Sequence, residues 1–240
     1  MNKIIGILSV LVLLCSCAEQ YNIAGNSSVA GLDGRMLYLR VSNNENSVVA
    51  LDSCKVIHGR FQFMGDVDSI VLAHLYMGNE NMMPLVIENG NLTVQVDKVA
   101  QRVTGSPLND KLYKFFQKRN RLENEMWELE HCCIRLMRSG KWNEKEAHRY
   151  LKEAEELNRK QEELETRFVM DNYNNVLGPG MFILLCSQFP SPVITDQIDR
   201  IIRKAPRSFM RNPFIENYLR RARQAGRQDE DKEEEQDPYR

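Results

Sequence analysis

The hydrophobic period of this chain changes once, at Ser106-Pro107, and that single change limits the fold to β structure followed by helix. Before it, large apolar side chains recur at every second residue. Gly59-Arg60-Phe61-Gln62-Phe63-Met64-Gly65 alternates between glycines, and Leu92-Thr93-Val94-Gln95-Val96 holds strict period two. Met36 to Val41, Val48 to Ser53, Ile70 to Met77 and Leu85 to Ile87 are β-prone in composition. The Asn89-Gly90 pair between Leu85-Val86-Ile87 and Leu92 to Val96 is a strong local hairpin signal. Seven or eight short strands at this spacing predict an antiparallel β-sandwich or small barrel over residues 17–106.

After Pro107 the spacing becomes three-and-four. Leu108, Leu112, Phe115, Leu122, Met126, Leu129, Cys133 and Leu136 form a heptad seam of coiled-coil type, broken only by Arg119. Ser139-Gly140-Lys141-Trp142 interrupts it, and Asn143 with Glu146 makes a capping box for the next helix. There Ala147, Tyr150, Ala154, Leu157, Gln161, Leu164 and Phe168 repeat the seam. Two helices of about thirty residues joined by a short loop predict a long antiparallel hairpin, about 45 Å at 1.5 Å per residue. Gly178-Pro179-Gly180 is expected to end it, with a buried short helix from Met181 to Cys186. Two further short helices are expected within Pro192 to Lys204 and Asn212 to Ala225. The helical domain thus spans 107–226, and the charged run 227–240, which lacks apolar content, is expected to be a disordered tail. The fold class is α+β.

The N-terminus gives an address. Lys3 precedes an aliphatic run, Ile4 to Leu14, of secretory length and too short to span a bilayer. Ser16 then leads directly into Cys17, which resembles the bacterial lipobox. On that reading residues 1–16 are a lipoprotein signal peptide, and Cys17 carries the palmitate-type acyl chains that hold the chain on a membrane. The alternative is an ordinary cleaved signal beside a chance cysteine.

The formal net charge of −1 gives no global case for a nucleic-acid partner. The basic segment from Arg200 to Arg227 is either a solvated face matched by the acidic run Asp229 to Asp237 or a surface for anionic headgroups. Cys54, Cys132, Cys133 and Cys186 include no Cys-x-x-Cys, so they read as small apolar residues, with a Cys54 disulfide as an option. His58, His74, His131 and His148 lack ligand spacing, and consecutive residues His131-Cys132-Cys133 fan out by about 100° each on a helix. The acidic residues between 123 and 165 alternate with Lys and Arg as on a solvated helix face. No catalytic, metal or cofactor residues are assigned.

Four stretches in order carry a family resemblance. They are Tyr21-Asn22-Ile23-Ala24-Gly25, Leu51 to Val56 with Gly59 to Gly65, Ile87-Glu88-Asn89-Gly90-Asn91-Leu92, and Val103-Thr104-Gly105-Ser106-Pro107-Leu108-Asn109-Asp110. Over about residues 20 to 115 the chain resembles DUF4369, a domain of unknown function at the N-terminus of exported thioredoxin-like lipoproteins in Bacteroidetes. The resemblance implies a thioredoxin-fold domain near residue 220, but the sequence continues there into a charged run without its thiol pair. Asp68-Ser69-Ile70 is similar to the O-glycosylation acceptor of such exported proteins, which makes Ser69 a candidate acceptor.

The expectation is therefore a cell-envelope lipoprotein of the outer membrane. It would act without catalysis as a binding or scaffolding module toward an envelope protein partner. The alternative is an accessory of envelope thiol–disulfide chemistry working with a separate thioredoxin-like protein. Capture of a glycan on aromatics of the sandwich is a third, weaker reading, because Tyr38, Phe61, Phe63 and Tyr76 read as core.

Overall fold

The computed structural model describes residues 20–42, 48–66, 68–98 and 100–235. Among them eight strands form two four-stranded sheets, and six α-helices follow, an α+β fold. The chain falls into two compact units whose main division lies between Asn109 and Asp110.

One sheet holds β1 (Gln20–Ser27), β4 (Arg60–Asp66), β7 (Gly90–Val96) and β8 (Gln101–Thr104) in the order β4-β1-β7-β8. The other holds β2 (Met36–Ser42), β3 (Val48–Lys55), β5 (Val71–Met77) and β6 (Glu80–Ile87) in the order β3-β2-β5-β6. Period two is visible in the burial of both. Tyr21, Ile23, Phe61, Phe63, Leu92, Val94 and Val96 are buried in the first sheet, and Leu37, Leu39, Ala73, Leu75 and Leu85 in the second.

Two expectations about pairing are corrected. The first sheet is mixed, because β1 and β7 run parallel in register from Tyr21↔Gly90 to Ser27↔Val96. Parallel neighbours need a long connection, and here the five strands between β1 and β7 supply it. Asn89-Gly90 is therefore no hairpin; it passes the chain from β6 in one sheet to β7 in the other. Gly90 takes φ 107°, as the sharp change of direction requires. The tight hairpin is instead β5–β6, where Met77 pairs with Glu80 around Gly78-Asn79. Gly78 at φ 59° in the first central position is the type II′ signature. It lengthens β6 back to Glu80, upstream of the Leu85 at which sequence pattern begins it.

The motif glycines have a steric cause. Across the β1–β4 pair, Tyr21 faces Gly65 and Gly25 faces Phe61. A Cβ on Gly65 would stand 2.6 Å from the Tyr21 hydroxyl, and one on Gly25 would stand 2.1 Å from the Phe61 ring. Each ring thus lies over a glycine of the opposite strand, covering backbone that a side chain would otherwise have to shield.

The Gly105-Ser106-Pro107-Leu108-Asn109 stretch is likewise a device. A Cβ on Gly105, at φ 106°, would meet the Asn91 carbonyl oxygen at 2.3 Å. Fully buried Asn109 accepts from the Val86 N–H at 2.9 Å and donates to the Val86 carbonyl at 2.7 Å, copying a strand neighbour. It also donates to the Ser106 hydroxyl at 2.8 Å. The first turn of the following helix is thereby bound to β6.

The helices are α1 (Pro107–Arg138), α2 (Glu144–Asp171), α3 (Leu177–Cys186), α4 (Asp196–Lys204), α5 (Arg207–Met210) and α6 (Pro213–Glu235). Asn143 caps α2 by accepting from the Glu146 N–H at 3.1 Å. The predicted seams face inward, and Phe115 of α1 stacks on Phe168 of α2 with centroids 4.2 Å apart. Arg119, the break in the seam, has a partner. Its Nε lies 3.4 Å from Oε1 of Glu165 and 3.0 Å from Oε1 of Glu123. Burial pushes the Glu165 carboxyl up by more than Arg119 and the hydrogen bonds of Gln161 and Gln197 pull it down.

Gly178-Pro179-Gly180 does not end the hairpin; α2 stops at Asp171, and these residues form the first turn of α3. Proline is tolerated in a first turn, and Gly178 is needed because a Cβ there would stand 2.3 Å from the Asn172 carbonyl oxygen. Not all of α3 is buried, since Ile183 and Leu184 reach solvent. Helix α6 continues to Glu235, past the Ala225 at which the apolar pattern ends it, so the backbone is helical over 227–235 of the run expected to be disordered. Residues 236–240 lie outside the described residues.

Candidate functional site

Of the two residues singled out by the sequence, Cys17 lies outside the described residues. Ser69 is exposed in a bend before β5, between exposed Asp68 and Ile70. It therefore has the accessibility that a modified hydroxyl needs.

The thiols are placed for packing rather than attack. Cys54, Cys132, Cys133 and Cys186 are all free, so the Cys54 disulfide is not formed among the described residues. Burial holds the Cys54 thiol up at about 11, with the nearby Asp52 charge adding to the effect. Cys186 is held at about 12, again by burial. At neutral pH both are protonated, and a nucleophilic cysteine needs the opposite shift. Among the described residues no three His, Cys, Asp or Glu side chains converge. His131 instead lies against Trp127, ring centroids 3.7 Å apart, and its Nδ1–H donates to the Trp127 carbonyl at 3.0 Å.

The fold leaves a number of large apolar side chains exposed, Ile57, Met64 and Ile70 singly, and two groups of them each share an element. The first is β3, an edge strand of the second sheet. Val48, Val49 and Leu51 are 55%, 45% and 46% exposed. The other edges carry the features that discourage further strand pairing. Strand β8 has four residues, β6 contains Pro84, and β4 opens on Arg60 and closes on Asp66. Strand β3 carries Asp52 and Lys55 in its second half, but its first half, Val48 to Leu51, holds neither charge nor proline. Its backbone edge and its apolar side chains are presented together, as strand addition by an extended partner requires.

The second place is the helical hairpin. Trp127, Ile134 and Met137 on α1 and Leu151 on α2 are more than 40% exposed. Trp127 and Ile134 are seven residues apart, hence on one face, outside the seam that holds Leu122, Met126 and Leu129. Along α2 run helix-spaced ion pairs such as Arg149–Glu146 at 2.6 Å, Lys160–Glu156 at 2.8 Å and Arg159–Glu163 at 2.7 Å. These are solvated pairs of small energetic weight.

A third arrangement separates the four aromatics that read as core. Phe61 and Phe63 are buried, but Tyr38 and Tyr76 are not core; they stand half-buried on the opposite face of the second sheet. Period two dictates this, since Leu37, Leu39 and Leu75 take the buried face. The Arg40 guanidinium carbon lies 4.9 Å from the Tyr38 ring centre and 4.7 Å from that of Tyr76. His74, paired in register with Arg40, meets Tyr76 edge-on at 6.5 Å, and burial lowers its pKa. The rings thus flank a cation of their own sheet. Sequence reasoning missed this cluster because Tyr38 pairs with Tyr76 across strands far apart in the chain.

No curated protein matches the chain. Residues 21–112, running from Tyr21 in β1 to Leu112 in α1, match the family model described as a domain of unknown function, DUF4369. The two sheets, the motif glycines and the Asn109 anchor are therefore the parts of a DUF4369 domain.

Proposed function

We propose that the protein is a cell-envelope lipoprotein, held on the outer membrane by acyl chains on Cys17, that acts as a non-catalytic binding or scaffolding module. The observation that carries this reading is the gathering of exposed apolar side chains on the β3 edge and the coiled-coil-like hairpin. Singly scattered apolar residues need no explanation; residues grouped along an unprotected edge are suited to a protein partner. A redox accessory would have to work through an accessible thiol, and a Cys54 held near 11 is poorly suited to that. The exposure of Ser69 is compatible with a glycan on the same module.

Cross-linking and affinity capture from intact envelopes test the reading. Leu51→Lys on the strand edge and Trp127→Ala with Ile134→Ser on the hairpin should each leave the unfolding midpoint nearly unchanged. At least one should remove a captured envelope protein. Capture that survives both changes but is lost with Cys54→Ser would favour the thiol route instead. Incorporation of a palmitate analogue that persists in Cys17→Ser would sink the anchor.

A further inference from the structure

Beyond the module's protein-binding surfaces, the helical unit contains a cavity of about 430 Å³ between α3, α6 and the segment that joins α3 to α4. This is within the size range of small-molecule sites. Its floor is Phe182, Ile215 and Cys186, all buried, and its walls include Phe189 and Phe214. The cavity is laced in place. The Tyr218 hydroxyl donates to the Val193 carbonyl at 2.9 Å and accepts from the Val193 N–H at 3.1 Å, tying the connecting segment to α6.

The polar groups around it are nearly all spent. Besides Tyr218, the Ser187 hydroxyl donates to the Leu184 carbonyl at 2.8 Å, and the Asn217 side-chain oxygen accepts from Arg220 at 2.9 Å. The N-terminus of α6 is capped by Asn212, which accepts from the N–H groups of Phe214 and Ile215. That leaves the Asn217 side-chain NH2 and the one charged group, Arg221, an exposed wall residue with no acidic side chain within ion-pair distance among the described residues. Glu216 is the only acidic residue in the sequence between Arg200 and Arg227, so the stretch that supplies this wall is rich in positive charge.

An apolar interior with one uncommitted guanidinium suits a ligand with an apolar body and a single anionic head. A sugar or nucleotide would find too few donors and acceptors. A carboxylate matches the guanidinium fork in shape as well as charge. From this juxtaposition we infer that the cavity binds a monomeric medium-chain carboxylate, its chain on Phe182 and Ile215 and its carboxylate on Arg221.

The test uses the full chain in neutral phosphatidylcholine vesicles and a diazirine-bearing decanoic acid, with adducts mapped by mass spectrometry. The expected adducts fall within residues 182–189 and 213–221 and are competed by decanoate but not by decanol. Arg221→Gln should lower labelling about tenfold at limiting probe. Ile183→Trp, at a part-exposed position on the cavity wall, should abolish it without changing the unfolding midpoint. Labelling spread evenly along the chain, or equal competition by decanol, would overturn the proposal. So would labelling by a diazirine phosphatidylglycerol in the bilayer but not by the free acid, since the occupant would then be membrane lipid. None of these outcomes depends on whether the β3 edge or the hairpin binds a protein.

Discussion

The β-domain and the helical hairpin specify their structures by different means. In the β-domain, side chains such as Ile23, Leu37, Leu39, Leu75 and Phe63 are shielded almost completely. Their neighbours are set by shape: a ring over a glycine at Tyr21/Gly65 and at Gly25/Phe61, and an asparagine standing in for a strand at Val86. In the hairpin, Leu122, Met126, Leu129, Leu136, Tyr150 and Leu157 are only half-buried, and the polar contact Arg119–Glu165 sits in the seam. Two helices cannot enclose a core between them as two sheets can. A hairpin therefore relies more on charge to fix its register, as polar residues at seam positions do in coiled coils.

This contrast can be broken at several points, and hydrogen exchange resolved by peptide would show which unit responds. Leu39→Ala removes a fully shielded side chain and should cost about 4 kcal/mol, read as a lower denaturant midpoint with exchange rising across β2, β5 and β6. Asn109→Leu leaves the buried Val86 N–H and carbonyl without their partner and should cost about 3 kcal/mol. In the helical unit, Arg119→Met should cost about 2 kcal/mol, below the figure for a fully enclosed pair because Arg119 is part-exposed. Its loss should shrink as pH falls, because protonation neutralises the stranded Glu165. Adding Glu165→Leu to Arg119→Met should return most of the stability; if it does not, the pair is not what holds the seam. Leu122→Ala should cost only about 1 kcal/mol, and a cost equal to that of Leu39→Ala would show that the hairpin is enclosed by something further.

The smallest effect is one of pH. Burial lowers the His74 pKa, so the unfolded chain takes up the proton more readily than the folded one. The β-domain should lose stability as pH falls through the ordinary histidine value of 6.5 toward the lowered one. Thermal unfolding at the two ends of that window should show a drop that His74→Gln diminishes. An unchanged drop would move the cause to another group.

Much of this was legible locally. The switch of period at Ser106-Pro107 marks the change from strand to helix, the seams name the inward faces of α1 and α2, and Asn143 announces its cap. What was not legible depends on distant partners. Asn89-Gly90 describes the turn a chain makes there, not which strand β7 then pairs with, and β1 claims it from nearly seventy residues upstream. Gly78-Asn79 was a readable hairpin signal that the apolar run Leu85-Val86-Ile87 overshadowed. Period two alone could not give the sheet face of Tyr38 and Tyr76 without the identity of the buried neighbours. The Arg221 cavity draws on residues from 182 to 221, which no single helical wheel unites.

The parallel seat of β1 also sets an order of events. The first strand of the domain finds its antiparallel partner only when residues 60 to 66 are available, and its parallel partner only when residues 90 to 96 are. The first sheet therefore closes late, through contacts remote in sequence, and such closures are slow. During synthesis, β1 and its apolar residues Tyr21 and Ile23 should stay unpaired until β4 has emerged, and paired on one side only until β7 has. A chain cut short before β7 would hold β1 on one side only.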